Sequence, residues 1–151
     1  MAHLSTVSFE TTLQVRDTCL CLHAQRAARG LARRFDEALR PAGLTNGQFS
    51  LMMALNGPEP ATMGAAATLL GTDRTTLTGA LKPLVRQGLA EVRVDGQDRR
   101  ARRIALTPQG RTRLAAALPL WREAHAALEV DLDGADPARI RRDLQSLAAR
   151  A

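Results

Sequence analysis

The residues best equipped for chemistry lie in one stretch, VRVDGQDRRARRIALT, from Val92 to Thr107. Four of the five residues from Arg99 to Arg103 are arginine, and an aspartate, Asp98, stands beside them. A guanidinium is planar, always charged and weakly hydrated, and it meets phosphate or carboxylate oxygens through two parallel N–H groups. Such a cluster is suited to gripping a polyanion. The acid makes sense there if it holds one arginine, Arg100, in a fixed extended pose. A second group, in DTCLCLHAQR, sets Cys19, His23 and Arg26 at spacings of four and three, which is one face of a helix. In general a thiol beside a histidine or arginine ionises and oxidises more readily.

Charge is concentrated in one region. Residues 74–113 carry ten Lys or Arg against three acids, +7, and the other residues eleven against twelve, −1, which makes up the net +6. The chain holds twenty Arg to one Lys, a bias that explains why the basic residues are arginine but not why they cluster. Cys19 and Cys21, two positions apart, form no disulfide framework and fit a reducing compartment. No run approaches the roughly 18 apolar residues of a membrane span, and MAHLSTVSFETT lacks a basic-then-apolar signal pattern. A cytoplasmic protein with no membrane partner is expected. There is no Gly-rich phosphate loop, no paired carboxylates in a cleft pattern and no nucleophile triad, so no enzyme, catalytic residue or cofactor is expected. Cys19 and His23 supply two metal ligands at most, and no metal site is expected.

The elements that must position these groups follow from periodicity and capping. Residues 12–39 read as one helix, with Leu20, Ala24, Ala27, Leu31, Phe35 and Ala38 at helical spacing and Cys21 aligned with its core side. Thr45 with Gln48 forms a capping box, and Leu44 and Phe49 a hydrophobic staple, for a helix ending near Gly57. Thr62 caps an Ala-rich helix from Met63 to Leu70. Thr72 or Asp73 caps another that reaches Gln87, with Leu77, Leu81, Leu84 and Val85 as its buried stripe and Gly88 just past its end. Pro83, four residues after Gly79, predicts a bend there. LAEVRV and RRIALT alternate as two hairpin strands. Thr107-Pro108 opens a long helix through Trp121 and Leu128, and Asp136-Pro137 a last one with Ile140, Leu144 and Leu147.

Short helix, tight turn, second helix and basic hairpin is the order of a winged helix-turn-helix. The fold class expected is mainly α with a small β-hairpin wing, and residues 44–107 form the DNA-binding core of a single domain, 1–151. The second helix of such a unit enters the major groove with its first turn, here Arg74, Thr75, Thr76 and Thr78. An arginine can grip a guanine edge, and a threonine offers a hydroxyl and a methyl. Thr62, Thr72, Lys82, Asp98, Arg99, Arg100 and Arg102 complete the expected interface with double-stranded DNA. A winged-helix module that binds protein or RNA is the alternative.

LTNGQF, DRTTLTGALKPLVRQGLAEVRV and DGQDRRARRIALTPQG, within residues 44–113, resemble the second helix, recognition helix and wing of the MarR family of bacterial transcription regulators. The resemblance implies a homodimeric repressor built on dimerisation helices at 12–40 and 108–150, and a palindromic operator with half-sites about one helical turn apart. It implies that Arg100 is the wing-tip arginine of the minor groove and Asp98 its orienting partner. Gly79 and Pro83 depart from the family's pattern and bear on base readout by the later part of the helix.

Three accounts of the first helix stand open. Both thiols are small buried hydrophobes; or Cys19 senses peroxide or electrophiles; or a small anionic or aromatic effector binds where Cys19, His23, Arg26, Phe49, Met53 and Trp121 gather. The peroxide-sensing branch of the family supports its cysteine with tyrosines, and this chain has none.

Overall fold

A computed structural model describes residues 6–149. The expected start of the domain at residue 1 and end of the last helix at residue 150 lie outside the described residues. In chain order the elements are α1 (Phe9–Thr18), α2 (Leu20–Leu39), a 3-10 turn (Arg40–Ala42), α3 (Asn46–Leu55), β1 (Ala61–Thr62), α4 (Met63–Leu70), α5 (Arg74–Arg86), β2 (Ala90–Val94), β3 (Arg102–Leu106), α6 (Pro108–Asp131) and α7 (Pro137–Ala148). The mainly α fold with a hairpin wing is present.

The centre is assembled by local rules. Thr45 Oγ1 accepts the Gln48 N–H at 3.1 Å while Gln48 Oε1 accepts the Thr45 N–H at 3.0 Å, closing the capping box of α3. Thr62 Oγ1 accepts the Ala65 N–H at 3.0 Å to start α4, and Gly71 at φ 63° ends it. Of the two candidate caps for α5, Asp73 is the one used, accepting the Thr76 N–H at 2.7 Å. Helix α5 continues through Pro83 to Arg86, and Gly88 at φ 69° turns the chain out. Behind these ends lies one core. Leu39, Leu51, Met52, Leu55, Leu77, Leu84, Leu89 and Ile104 are its fully buried large residues.

The sheet has the antiparallel order β1-β3-β2, with Val92 opposite Ile104. Strand β1 has no counterpart in the sequence reading, because two residues after Pro60, the second of them the cap of α4, are too few to show alternation. The wing's base is locked to the helices: Thr107 Oγ1 donates to the Gly88 carbonyl at 2.5 Å, and the Thr107 N–H donates to the Leu89 carbonyl at 3.1 Å. Gly110, in the first turn of α6, lies so close that a Cβ there would sit 1.9 Å from the Leu89 carbonyl oxygen. Only glycine fits.

Three expectations need correction. The helix over 12–39 is two helices, because Cys19 leaves helical geometry (φ −70°, ψ 105°) and its Sγ accepts the Leu22 N–H at 3.4 Å as the cap of α2. No residue of α1 is buried, so no packing holds the two segments in line. Cys21 is exposed rather than in the core, since α2 buries only Phe35 and Leu39 near its far end. Val85 is 40% exposed and not part of the buried stripe; it borders a shallow groove with Lys82 and Val92 on the outer side of α5.

Candidate nucleic-acid interface

The first turn of α5 and the turn end of the wing face each other. Thr62, Met63, Gly64, Arg74, Thr78, Arg100, Ala101 and Arg102 line one cleft of about 550 Å³. Five of the residues expected to touch DNA therefore meet at one place, although they come from three elements. The Arg74 guanidinium lies over Gly64, where an added Cβ would stand 3.3 Å from Nη2.

Hydrogen bonds sort the threonines. Thr76 gives both its N–H and its hydroxyl to the Asp73 carboxylate, at 2.7 and 2.9 Å, so it serves the cap first. These contacts, the backbone N–H of Thr76 foremost, hold the Asp73 carboxyl below its ordinary range. Thr78 Oγ1 donates to the Arg74 carbonyl at 2.7 Å. The Thr72 N–H closes the end of α4 on the Ala67 carbonyl at 3.0 Å. Thr75 and Lys82 are exposed on α5, and neither side chain makes a hydrogen bond or ion pair among the described residues.

In the wing the acid that holds an arginine is Asp95, not Asp98. One Asp95 oxygen accepts the N–H groups of Gln97 and Asp98 at 2.7 and 3.1 Å, and the other pairs with the Arg103 guanidinium. Arg103, with these backbone donors, pulls the Asp95 carboxyl down to about 2. Asp98 instead accepts the backbone N–H of Arg100 at 2.9 Å, and its own carbonyl accepts the Ala101 N–H at 2.9 Å. It shapes the turn and leaves the Arg100 guanidinium free. Arg102 is steadied by the carbonyls of Arg99 and Ala101, at 3.0 and 3.3 Å.

The expected sensing residues fall into separate groups. His23 Nδ1 lies 2.8 Å from the Cys19 carbonyl oxygen, and Arg26 is exposed one turn on. Phe49 and Trp121 stack in the core with centroids 6.1 Å apart, and Trp121 also meets Phe35 and His125. Met53 is 44% exposed. Among the described residues no hydrogen bond or ring contact links Cys19, His23 or Arg26 to Phe49 or Trp121. The described residues contain no group of three or more His, Cys, Asp or Glu that could hold a metal ion, and no helix long and apolar enough to cross a membrane.

Comparison with known proteins decides the family. The family model described as "MarR family" matches residues 42–101. The crystal structure of the M. tuberculosis transcriptional regulator MosR in complex with DNA is 42% identical, covers 87% of this chain and 95% of its own, and superposes with a TM-score of 0.79. The chain belongs to the MarR family. The transcriptional repressor CouR bound to a 23-mer DNA duplex is 27% identical over 97% of this chain and 98% of that one, with a TM-score of 0.72. The S. aureus MepR–DNA complex, at 21% identity over 87% and 98% and a TM-score of 0.75, shares the fold. No curated protein matches the sequence. The MarR family is one of transcription regulators and indicates no catalytic activity for this chain.

Within this MarR-family chain, sequence reasoning missed the Asp95–Arg103 pair. A signal for it existed: an Asp that opens an Asp-Gly turn commonly accepts the N–H two residues on. The register adds the rest, since Arg103 of β3 lies one step inward from the turn, opposite Arg93.

Proposed function

We propose that the chain is a cytoplasmic, homodimeric, sequence-specific DNA-binding transcriptional repressor whose affinity for a palindromic operator falls on oxidation of a thiol. The observation that carries the DNA reading is the convergence of Thr62, Arg74, Thr78, Arg100 and Arg102 on one cleft. Relatives captured on duplex DNA support it. Helix α5 presents Arg74, Thr75, Thr76, Thr78 and Lys82 to the major groove, and the wing presents Arg99, Arg100 and Arg102. Dimerisation is supported by the apolar residues left exposed at the two ends of the chain, among them Phe9 at 75%, Leu20 at 70% and Val130 at 80%.

Selection from random duplex DNA tests this. Enrichment of a palindrome is the expected result, with binding that falls steeply with salt, by about 0.9 in log–log slope for each phosphate neutralised. Selection of no duplex would leave a winged-helix module for protein or RNA.

Thiol oxidation is favoured as the trigger because Cys19 sits at the α1–α2 junction and its sulfur is the cap of α2. Transfer of a peroxide oxygen to that sulfur gives a sulfenic acid and water, and changes the group that starts the helix. A small aromatic or anionic effector is the second reading, supported by the Phe35–Phe49–Trp121–His125 stack where α2, α3 and α6 meet. Peroxide is expected to release DNA from the parent protein and not from Cys19→Ser. Equal release from both would eliminate this thiol as the trigger.

A further inference from the structure

Lysine occurs once in the chain, against twenty arginines, and it stands on α5 as Lys82. A guanidinium stays protonated in water, whereas a lysine amine that has shed its proton is a nucleophile and the usual target of acylation. Lys82 is exposed, and its side chain makes no ion pair or hydrogen bond among the described residues. We propose that Lys82 is an acylation site whose donor is an acyl phosphate held by Arg86, and that the modification lowers affinity for DNA. The loss of affinity rests on the DNA-binding reading above; the modification itself does not.

The amine borders a groove of about 470 Å³ between α5 and β2, which Gly79, Pro83, Val85, Arg86 and Val92 also line and no acid does. Gly79 and Pro83, the two departures from the family's pattern, both shape it. A Cβ on Gly79 would meet nothing within 4 Å. Pro83 has no N–H, so the Gly79 carbonyl lacks its helical donor four residues on. A helical side chain leans toward the helix N-terminus, which carries Lys82 over Gly79. An acyl group on Lys82 then has an apolar seat against Pro83, Val85 and Val92, and its amide N–H has an acceptor in the Gly79 carbonyl.

Arg86 supplies the phosphate contact. It follows Lys82 by four residues on α5, a spacing that brings two Cβ atoms to about 5–6 Å. It is exposed and forms no ion pair among the described residues. The acids before and after it in the chain, Asp73 and Glu91, are engaged by Thr76 and Arg93. Its guanidinium is thus open to two phosphate oxygens of the donor at once. The neutral Lys82 amine attacks the acyl carbon. An N–C bond forms, the C–O bond to the phosphate breaks with its electron pair, and the surplus amine proton passes to the departing phosphate. An amide and inorganic phosphate result, and the lysine loses its charge and with it a donor to DNA phosphates.

The test incubates the full chain with acetyl phosphate beside a blocked free lysine, Nα-acetyl-lysine amide, and follows both by mass and peptide mapping. Lys82 should gain an acetyl group several-fold faster than the free lysine, and Lys82→Arg should gain none at that position. Arg86→Ala should slow Lys82 to the rate of the free lysine. With an acetyl succinimidyl ester, which carries no phosphate, the same variant should react like the parent, which also shows that its fold is intact. On the selected operator the acetylated chain should bind about tenfold more weakly, the scale of one charged hydrogen bond lost. Its salt slope should be lower by about 0.9. Acetylation of Lys82 no faster than that of the free lysine would overturn the site. A preference shown only toward acetyl-CoA would reject the phosphate donor, and full operator affinity after acetylation would reject the switch. Failure of the parent to select any duplex would instead remove the DNA-binding reading, while the masses still decide the site.

Discussion

The centre of the molecule and its two ends are built differently. From Leu44 to Leu114 every helix start is capped, the wing is bonded to the helices, and seven of the eight fully buried large side chains, all but Leu39, are found. Helices α1 and α7 are also capped, by Ser8 and Asp136, yet neither contains a buried residue. Capping satisfies a helix end, but packing of an apolar face supplies most helical stability in proteins. The centre therefore holds itself together, and the ends need something else to cover Leu144 and Leu147, each about half exposed.

The largest expected effect comes from that uncovered face. Leu144→Glu with Leu147→Glu should remove on the order of 3 kcal/mol of association energy, over a hundredfold in dimer affinity. Sedimentation at micromolar concentration would show monomers with an unchanged helical core. Dimers as tight as the parent would mean that α7 is not the missing partner's seat, and the contrast between centre and ends would need another basis.

The centre is tested at its closest contact. Gly110→Ala puts a methyl group where the Leu89 carbonyl oxygen stands, so backbone must shift. A loss of about 1–3 kcal/mol is expected, the usual cost of overpacking. Because Leu89 joins α5 to the wing, heat should unfold helix and wing together. A parent-like melting temperature would show that this joint is slack.

A matched pair of cap deletions sharpens the comparison at smaller scale. Thr45→Ala removes one half of the α3 capping box in the centre and should cost about 1 kcal/mol of global stability. Ser8→Ala removes the same kind of bond from α1, where Ser8 Oγ accepts the Thr11 N–H at 3.2 Å. It should leave the global melting temperature unchanged, since a helix with no buried residue can unfold alone. Equal losses would mean that α1 is coupled to the core.

The same division governs what could be read before the structure. Thr45 with Gln48, Thr62 with Ala65 and Asp73 with Thr76 are contacts three residues apart, so the sequence displays them directly. The helices of the reading unit were legible for that reason, and with them the cleft residues Arg74 and Thr78. The break at Cys19 was not, because a thiol is an uncommon cap and the apolar spacing runs on across it. Asp95 and Arg103, eight positions apart, meet only once the β2–β3 register is set. Periodicity also placed Cys21 on a core side that has no core opposite it. A stripe predicts the face a helix would bury, not the presence of a partner.

The smallest effect separates the wing from everything else by pH. The Asp95 carboxyl is drawn to about 2, chiefly by Arg103, from an ordinary value of 3.8. A carboxylate whose folded value is depressed contributes stability that is fully present above its unfolded value and is lost as pH falls through the folded one. Between pH 5 and pH 9 Asp95 is ionised in both states, so it should add no pH dependence to wing order or DNA binding. Between about pH 4 and pH 2 the unfolded chain binds the proton first, and the contribution of Asp95 should fade. Amide exchange at Gln97 and Asp98, whose N–H groups Asp95 accepts, should then quicken before that at Leu89 in the core joint. Asp95→Asn keeps the shape but removes the charge, and should show the faster wing exchange already at neutral pH. If turn and core amides quicken together in the parent as pH falls, the turn is not held by this pair and opens only when the whole fold does.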